Sequence, residues 1–319
     1  MRAAFTLPTA SWLAVVMSLS LGCFGEPNPV TLDQPIAIVG GNFRSGSLPG
    51  DPPETEIKTD PQITSFEFAA YALRPGQQHI AFIGRVGEGA SAVAIALEGV
   101  GTGYWVHTTG AVDPQYPGER IYDFTLEVGL EVPAGPRRLL VVAIDDQGHA
   151  GTQSALNICI TSALPDNGHA CDPQQVLPAA VIELAWSEDV DLDLSASDPG
   201  GLVVSRQDPV LYLGDQVLAR LSTDSNAGCT IDGNRVEHIV WPELPGEGLW
   251  SIYANLYDPC GHTAVSYRVT QYQRREGTDG SSALEAVGEP IVGRFVRGQA
   301  NGDGNVPVFL TQLNFETTP

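Results

Sequence analysis

Short runs of alternating apolar and polar residues, each closed by a turn rich in Gly or Pro, recur along most of this 319-residue chain. The pattern constrains the fold more than any other feature, because a period of two places side chains on the two faces of a strand and cannot be wrapped onto a 3.6-residue turn. In the first half, Ile63-Thr64-Ser65-Phe66-Glu67-Phe68 alternates, and so do residues 80–83, 93–97, 104–107, 122–128 and 139–144. A last strand leads to Ile158-Cys159-Ile160. Arg74-Pro75-Gly76, Pro117-Gly118 and Asp145-Asp146-Gln147-Gly148 are among the turn signals between them. Strands at this spacing predict an immunoglobulin-like β-sandwich over residues 62–163. Residues 164–178, rich in Pro, Asp, Asn and Gly, read as a linker.

The pattern resumes at 179 and continues to 319. Leu192 and Leu194 alternate with Asp191 and Asp193, and Asp198-Pro199-Gly200-Gly201 supplies the turn that closes this strand. Trp105, Trp241 and Trp250 fall inside strands and are expected in the core. Residues 291–296 and 306–315 are expected to form a terminal strand pair. The whole chain is therefore predicted to be all-β, with two tandem β-sandwiches.

The N-terminus reads differently. Met1-Arg2 precedes an apolar stretch too short to span a bilayer, and the stretch ends in Ser18-Leu19-Ser20-Leu21-Gly22-Cys23. That ending resembles the lipobox of bacterial lipoproteins, although Ser20 stands where an aliphatic residue is usual. The resemblance implies a signal peptide over residues 1–22 and a lipid-bearing Cys23 as the membrane anchor. Residues 23–61 are expected to be a flexible tether, with a short strand at 36–39 as the alternative.

Acidic residues number 38 against 16 basic, a net charge of −22. Such a surface repels phosphate backbones, so nucleic acid is excluded as a partner. With Cys23 set aside, Cys159, Cys171, Cys229 and Cys260 are an even set in an exported chain, which implies two disulfides. Three connectivities are open, and the simplest pairs neighbours. There is no C-x-x-C, nucleophile elbow, H-E-x-x-H, P-loop or dinucleotide fingerprint, and the six histidines show no zinc-like spacing. No catalytic residue is predicted.

A larger set of residues carries a family resemblance. It comprises Trp186, Asp191-Leu192-Asp193-Leu194, Asp198-Pro199-Gly200, the run Asp224-Ser225-Asn226-Ala227-Gly228-Cys229 through Asp232-Gly233, then Glu237, Pro245-Gly246 and Cys260-Gly261. This set resembles predicted lipoproteins of predatory Gram-negative bacteria, whose C-terminal sandwich is related to an uncharacterised envelope domain. Ser187 and Ser195 depart from the usual pattern. The resemblance implies a cell-envelope location, at the outer membrane on its periplasmic or surface face, and a Cys229–Cys260 pair. It implies no activity.

A second similarity concerns chemistry. Alternate Asp residues near a strand end, an Asp/Gly/Asn-rich loop and a downstream Glu look like the calcium-binding sandwiches of the tellurium-resistance family. The matching positions are Asp191, Asp193, Asp224, Asn226, Asp232 and Glu237, whose oxygens are the donors that calcium takes. The alternative is that these side chains cap turns by accepting from backbone N–H groups. The expected function is a lipid-anchored structural or interaction module of the envelope, not an enzyme. A calcium-dependent module binding glycan or protein is the alternative, and a hydrolase is the reading least supported.

Overall fold

The computed structural model describes residues 33–315, apart from 69, 246, 247, 279 and 303–306. The signal peptide and Cys23 lie outside the described residues. Everything described is all-β, arranged as two sandwiches of mostly antiparallel sheets.

The first sandwich contains β1 (Ile36–Ile38), β2 (Asn42–Ser45), β3 (Ile63–Phe68), β4 (Ala72–Leu73), β5 (Ile80–Gly87), β6 (Ala90–Leu97), β7 (Gly103–Thr108), β8 (Glu119–Val128), β9 (Gly135–Asp145) and β10 (Ser154–Ile160). One sheet has the order β1-β8-β5-β3 and the other β2-β7-β6-β9-β10-β4. Alternation decides what faces inward. Phe82, Tyr122 and Phe124 stack in the core with Ile95, Trp105, Leu139 and Val141.

Residues 33–61 do not form the expected tether, and the alternative, a short strand at 36–39, is met by β1. Ile36, Ala37 and Ile38 pair with Val128, Glu127 and Leu126, and all three are buried. The Trp105 indole donates to the Ile36 carbonyl at 2.7 Å, so the apolar triplet is locked into the core wall. The Pro- and Gly-rich stretch that follows is also held. Gln153 donates its amide to the carbonyls of Leu48, Pro49 and Gly50, and Thr152 takes the Thr59 N–H at 2.8 Å. Tertiary partners supply the hydrogen bonds that the local sequence could not.

The second sandwich contains β11 (Ala180–Trp186), β12 (Asp191–Ser197), β13 (Val203–Val204), β14 (Val210–Leu213), β15 (Gln216–Leu221), β16 (Val236–Trp241), β17 (Leu249–Asp258), β18 (Ala264–Glu276), β19 (Ser282–Ala286), β20 (Ile291–Val296) and β21 (Val308–Asn314). The larger sheet has the order β14-β15-β16-β11-β18-β19, with β20 also on β18, and the smaller has β13-β12-β17-β21. Trp241, Trp250 and Phe315 pack together between them. The last two strands are not a pair. β20 lies on β18 and β21 on β17, in opposite sheets, so the two strands do not close a hairpin.

Two disulfides staple the chain. Cys159 joins Cys171 and Cys229 joins Cys260, with Cα–Cα separations of 5.7 and 5.5 Å. The neighbour pairing is the one found. The first ties the linker to β10. The second ties the loop before β16 to the turn after β17.

Candidate metal centre

Alternation along β12 sends Leu192, Leu194 and Ala196 into the core and leaves Asp191, Asp193 and Ser195 on the outer face. Outward carboxylates are normally wet. Here Asp191 is only 2% exposed and Asp193 only 8%, because the loop that follows β15 folds over them. A carboxylate oxygen of Asp191, one of Asp193 and one of Asp224 all lie within 4.8 Å of one another. Three carboxylates this close repel unless protons or a cation offset them.

The loop is built by the residues around this cluster. Asn226 and Gly228 take left-handed backbone, with φ of 59° and 57°, which Asn and Gly tolerate best. The Asn226 amide donates to the carbonyls of Val190 and Asn234, and its oxygen accepts from Asp232 N–H at 3.2 Å. The turn this creates aims Gly228 N–H at Asp191 Oδ2, 2.6 Å away. The Cys229–Cys260 bond fixes the far end of the loop.

Glu237 sits beneath the cluster, 1% exposed. Its two oxygens accept from Leu194 N–H at 2.7 Å and Ser225 N–H at 3.1 Å. β13 is two residues long and pairs only with Ala196 and Ser197, so the Leu194 amide needs this side-chain acceptor. Glu237 thus welds β16, β12 and the loop together.

The six expected ligands therefore divide. Asp191, Asp193 and Asp224 converge. Asn226 is spent on the loop's own backbone, and Asp232 accepts from Asn234 N–H in a local turn, exposed to solvent. Glu237 has both oxygens committed to backbone amides. These three fit the turn-capping alternative better than coordination. A second group, Cys229, Asp258 and Cys260, is also close in space, but its sulfurs are consumed in the disulfide and cannot ligate.

Two residues at the cluster were not anticipated from sequence. Arg206 brings its guanidinium to 3.4 Å from Asp193 and lies over the Tyr257 ring. Asn255, opposite Asp193 on β17, donates to Asp193 Oδ2 at 3.2 Å and to Gly302 O at 3.3 Å. Among the described residues, the buried amide oxygen of Asn255 finds no hydrogen-bond donor, and neither does that of Asn301. The signal for Asn255 was its outward place in the alternation of β17, but which outward residue meets Asp193 depends on register.

Electrostatics follow from this geometry. Burial, with the charges of Asp193 and Asp224 added, pushes the Asp191 carboxyl up to about 7 against the opposing Gly228 N–H and Arg206. Burial likewise drives Glu237 well above the carboxylate range, despite its two backbone donors. The Arg206 guanidinium offsets Asp193 at 3.4 Å and Asp191 more weakly. The donor set is oxygen only, which suits a hard divalent cation such as calcium rather than zinc or copper.

No protein-family model matches this chain, and no curated protein matches it in sequence. Fold and site together define an all-β protein of two disulfide-stapled sandwiches, the second bearing at one end of its smaller sheet an acidic cluster in which Asp191 and Asp193 are buried and Asp224 is exposed.

Proposed function

We propose that the chain is an exported interaction module of the cell envelope, anchored by lipid on Cys23. Its two disulfides support an oxidising compartment, where such bonds persist. The lipobox-like ending and the likeness to envelope lipoproteins support the anchor and the outer-membrane location. Replacement Cys23→Ser is expected to move the protein from the membrane fraction to the soluble periplasm. Continued membrane fractionation of that variant rejects the anchor.

A second reading has its own observation. The convergence of the Asp191, Asp193 and Asp224 oxygens supports a calcium-dependent module, in which the ion fixes the loop around residues 224–229 so that it can meet a glycan or protein. These three carboxylates would be the ligands, and Glu237 would hold the backbone that presents them. Calcium would stabilise the fold in proportion to its binding, by about 2.7 kcal/mol at a hundredfold excess over Kd. Thermal melting of the mature chain is expected to shift upward by several degrees in millimolar calcium and to return in chelator. A Tm indifferent to both rejects the calcium reading.

A further inference from the structure

The outer face of the smaller sheet of the second sandwich changes character along its strands. Asp191 and Asp193 occupy one end. Beyond Asp193 the charge stops. In the next row Ser195 lies opposite Tyr253, which lies opposite Phe309, and in the row after that Val203, Ser197, Ser251 and Gln312 follow one another across four strands. These residues point away from the core, since Leu194, Ala196, Ile252 and Ala254 between them are fully buried. Gln312 reaches the Ser251 hydroxyl at 3.4 Å, and the Tyr253 and Phe309 rings meet edge to face at 5.8 Å. Phe309 is nonetheless 54% exposed.

Two adjacent rows therefore carry hydroxyls, an amide and two aromatic rings, and no charged side chain. The chain as a whole carries 38 acidic and 16 basic residues. An anionic polymer, or a second copy of the chain, is repelled by the net charge of −22. A basic partner would find its counter-charges at the Asp191 end and none on these rows. What the rows complement is an uncharged surface with apolar C–H faces for the rings and hydroxyls for Ser195, Ser197, Ser251 and Gln312. We propose that this strip binds a neutral polysaccharide. From β12 to β21 it spans about 10 Å at ordinary strand spacing, room for a short run of sugar rings. The inference rests on the reading of the second sandwich as a binding module, and it does not need the metal.

Affinity electrophoresis of the full mature chain tests it, in native gels holding dextran, galactomannan or xyloglucan, with polygalacturonate as the anionic control. At least one neutral polymer is expected to slow the protein. Phe309→Ala and Tyr253→Ala are each expected to weaken that interaction by about tenfold or more, while Leu130→Ala, on the surface of the first sandwich, leaves it unchanged. Phe309 is exposed enough for its truncation to leave the fold intact, which parallel melting curves verify. The proposal is overturned if no neutral polymer retards the chain, if Phe309→Ala binds as the parent does, or if polygalacturonate binds equally well. Melting with and without calcium on the same samples separates the two readings. Retardation that persists without any calcium shift removes the metal and keeps this strip. A calcium shift without retardation does the reverse.

Discussion

Asp191 holds its proton up to about pH 7 when folded, whereas an unfolded aspartate releases it near 4. Between those values the folded chain binds more protons than the unfolded one, so the contribution of this group to stability is present in acid and is lost as pH rises through that window. Glu237, shifted the same way by its burial, adds to the effect. Melting temperature in chelator is therefore expected to fall from pH 4 to pH 7, and Asp191→Asn, which carries no proton to lose, is expected to flatten the curve. A wild-type profile that rises across the same range contradicts the clustering. The same residues show how far a sequence reading reaches. Period-two alternation was enough to put Asp191 and Asp193 on one face, and their motif company pointed to Asp224. For Asn226 and Glu237 the sequence leaves two roles open, because a side chain that accepts from a backbone amide looks like a metal ligand until the amide's position is known. Arg206 and Asn255 were out of reach for a related reason: each meets Asp193 only through loop path or strand register.

Strands show the same division between local and distant causes. Those with a full alternating run, such as β3, β8 and β17, could be read directly, whereas β2 and β4 are four and two residues long and carry too little pattern to register, and β1, three residues long, reads only as an alternative to the tether. What makes β1 a strand is the Trp105 indole and the open edge of β8, neither of which its own residues encode. The pairing of β20 and β21 went astray because a Gly-rich connection suggests a hairpin and says nothing about which sheet receives each strand. The loop over Asp191 is the element whose order matters most to the site, and the Cys229–Cys260 bond closes a loop of 31 residues around it. A constraint of that length contributes roughly 3 kcal/mol through the unfolded chain. The double replacement Cys229→Ser, Cys260→Ser is expected to lower stability by about that amount and to diminish the calcium-dependent rise in Tm, since Asp224 and the Gly228 amide would lose their fixed place. A double variant whose calcium response equals the parent's would show that Asn226 alone orders the loop.

The two sandwiches have separate cores. Ile36 to Ile160 supply one cluster, centred on the stacked rings of Phe82, Tyr122 and Phe124, and Ala180 to Phe315 supply the other, around Trp241 and Trp250. Among the described residues, no buried apolar side chain belongs to both clusters, so each sandwich is expected to melt as its own cooperative unit. The linker does not merge them, because its disulfide to Cys159 makes it part of the first unit at one end, while the Leu177 carbonyl accepts from Arg274 of the second at the other. Scanning calorimetry of the mature chain is accordingly expected to resolve two transitions. The acidic cluster lies wholly in the second sandwich, so calcium should raise one transition and leave the other where it was. Asp193→Asn should abolish that displacement without moving the calcium-indifferent transition. If calcium moved both together, the sandwiches would be thermodynamically one body, and a cation bound under the loop at one end would be stabilising structure across the whole chain.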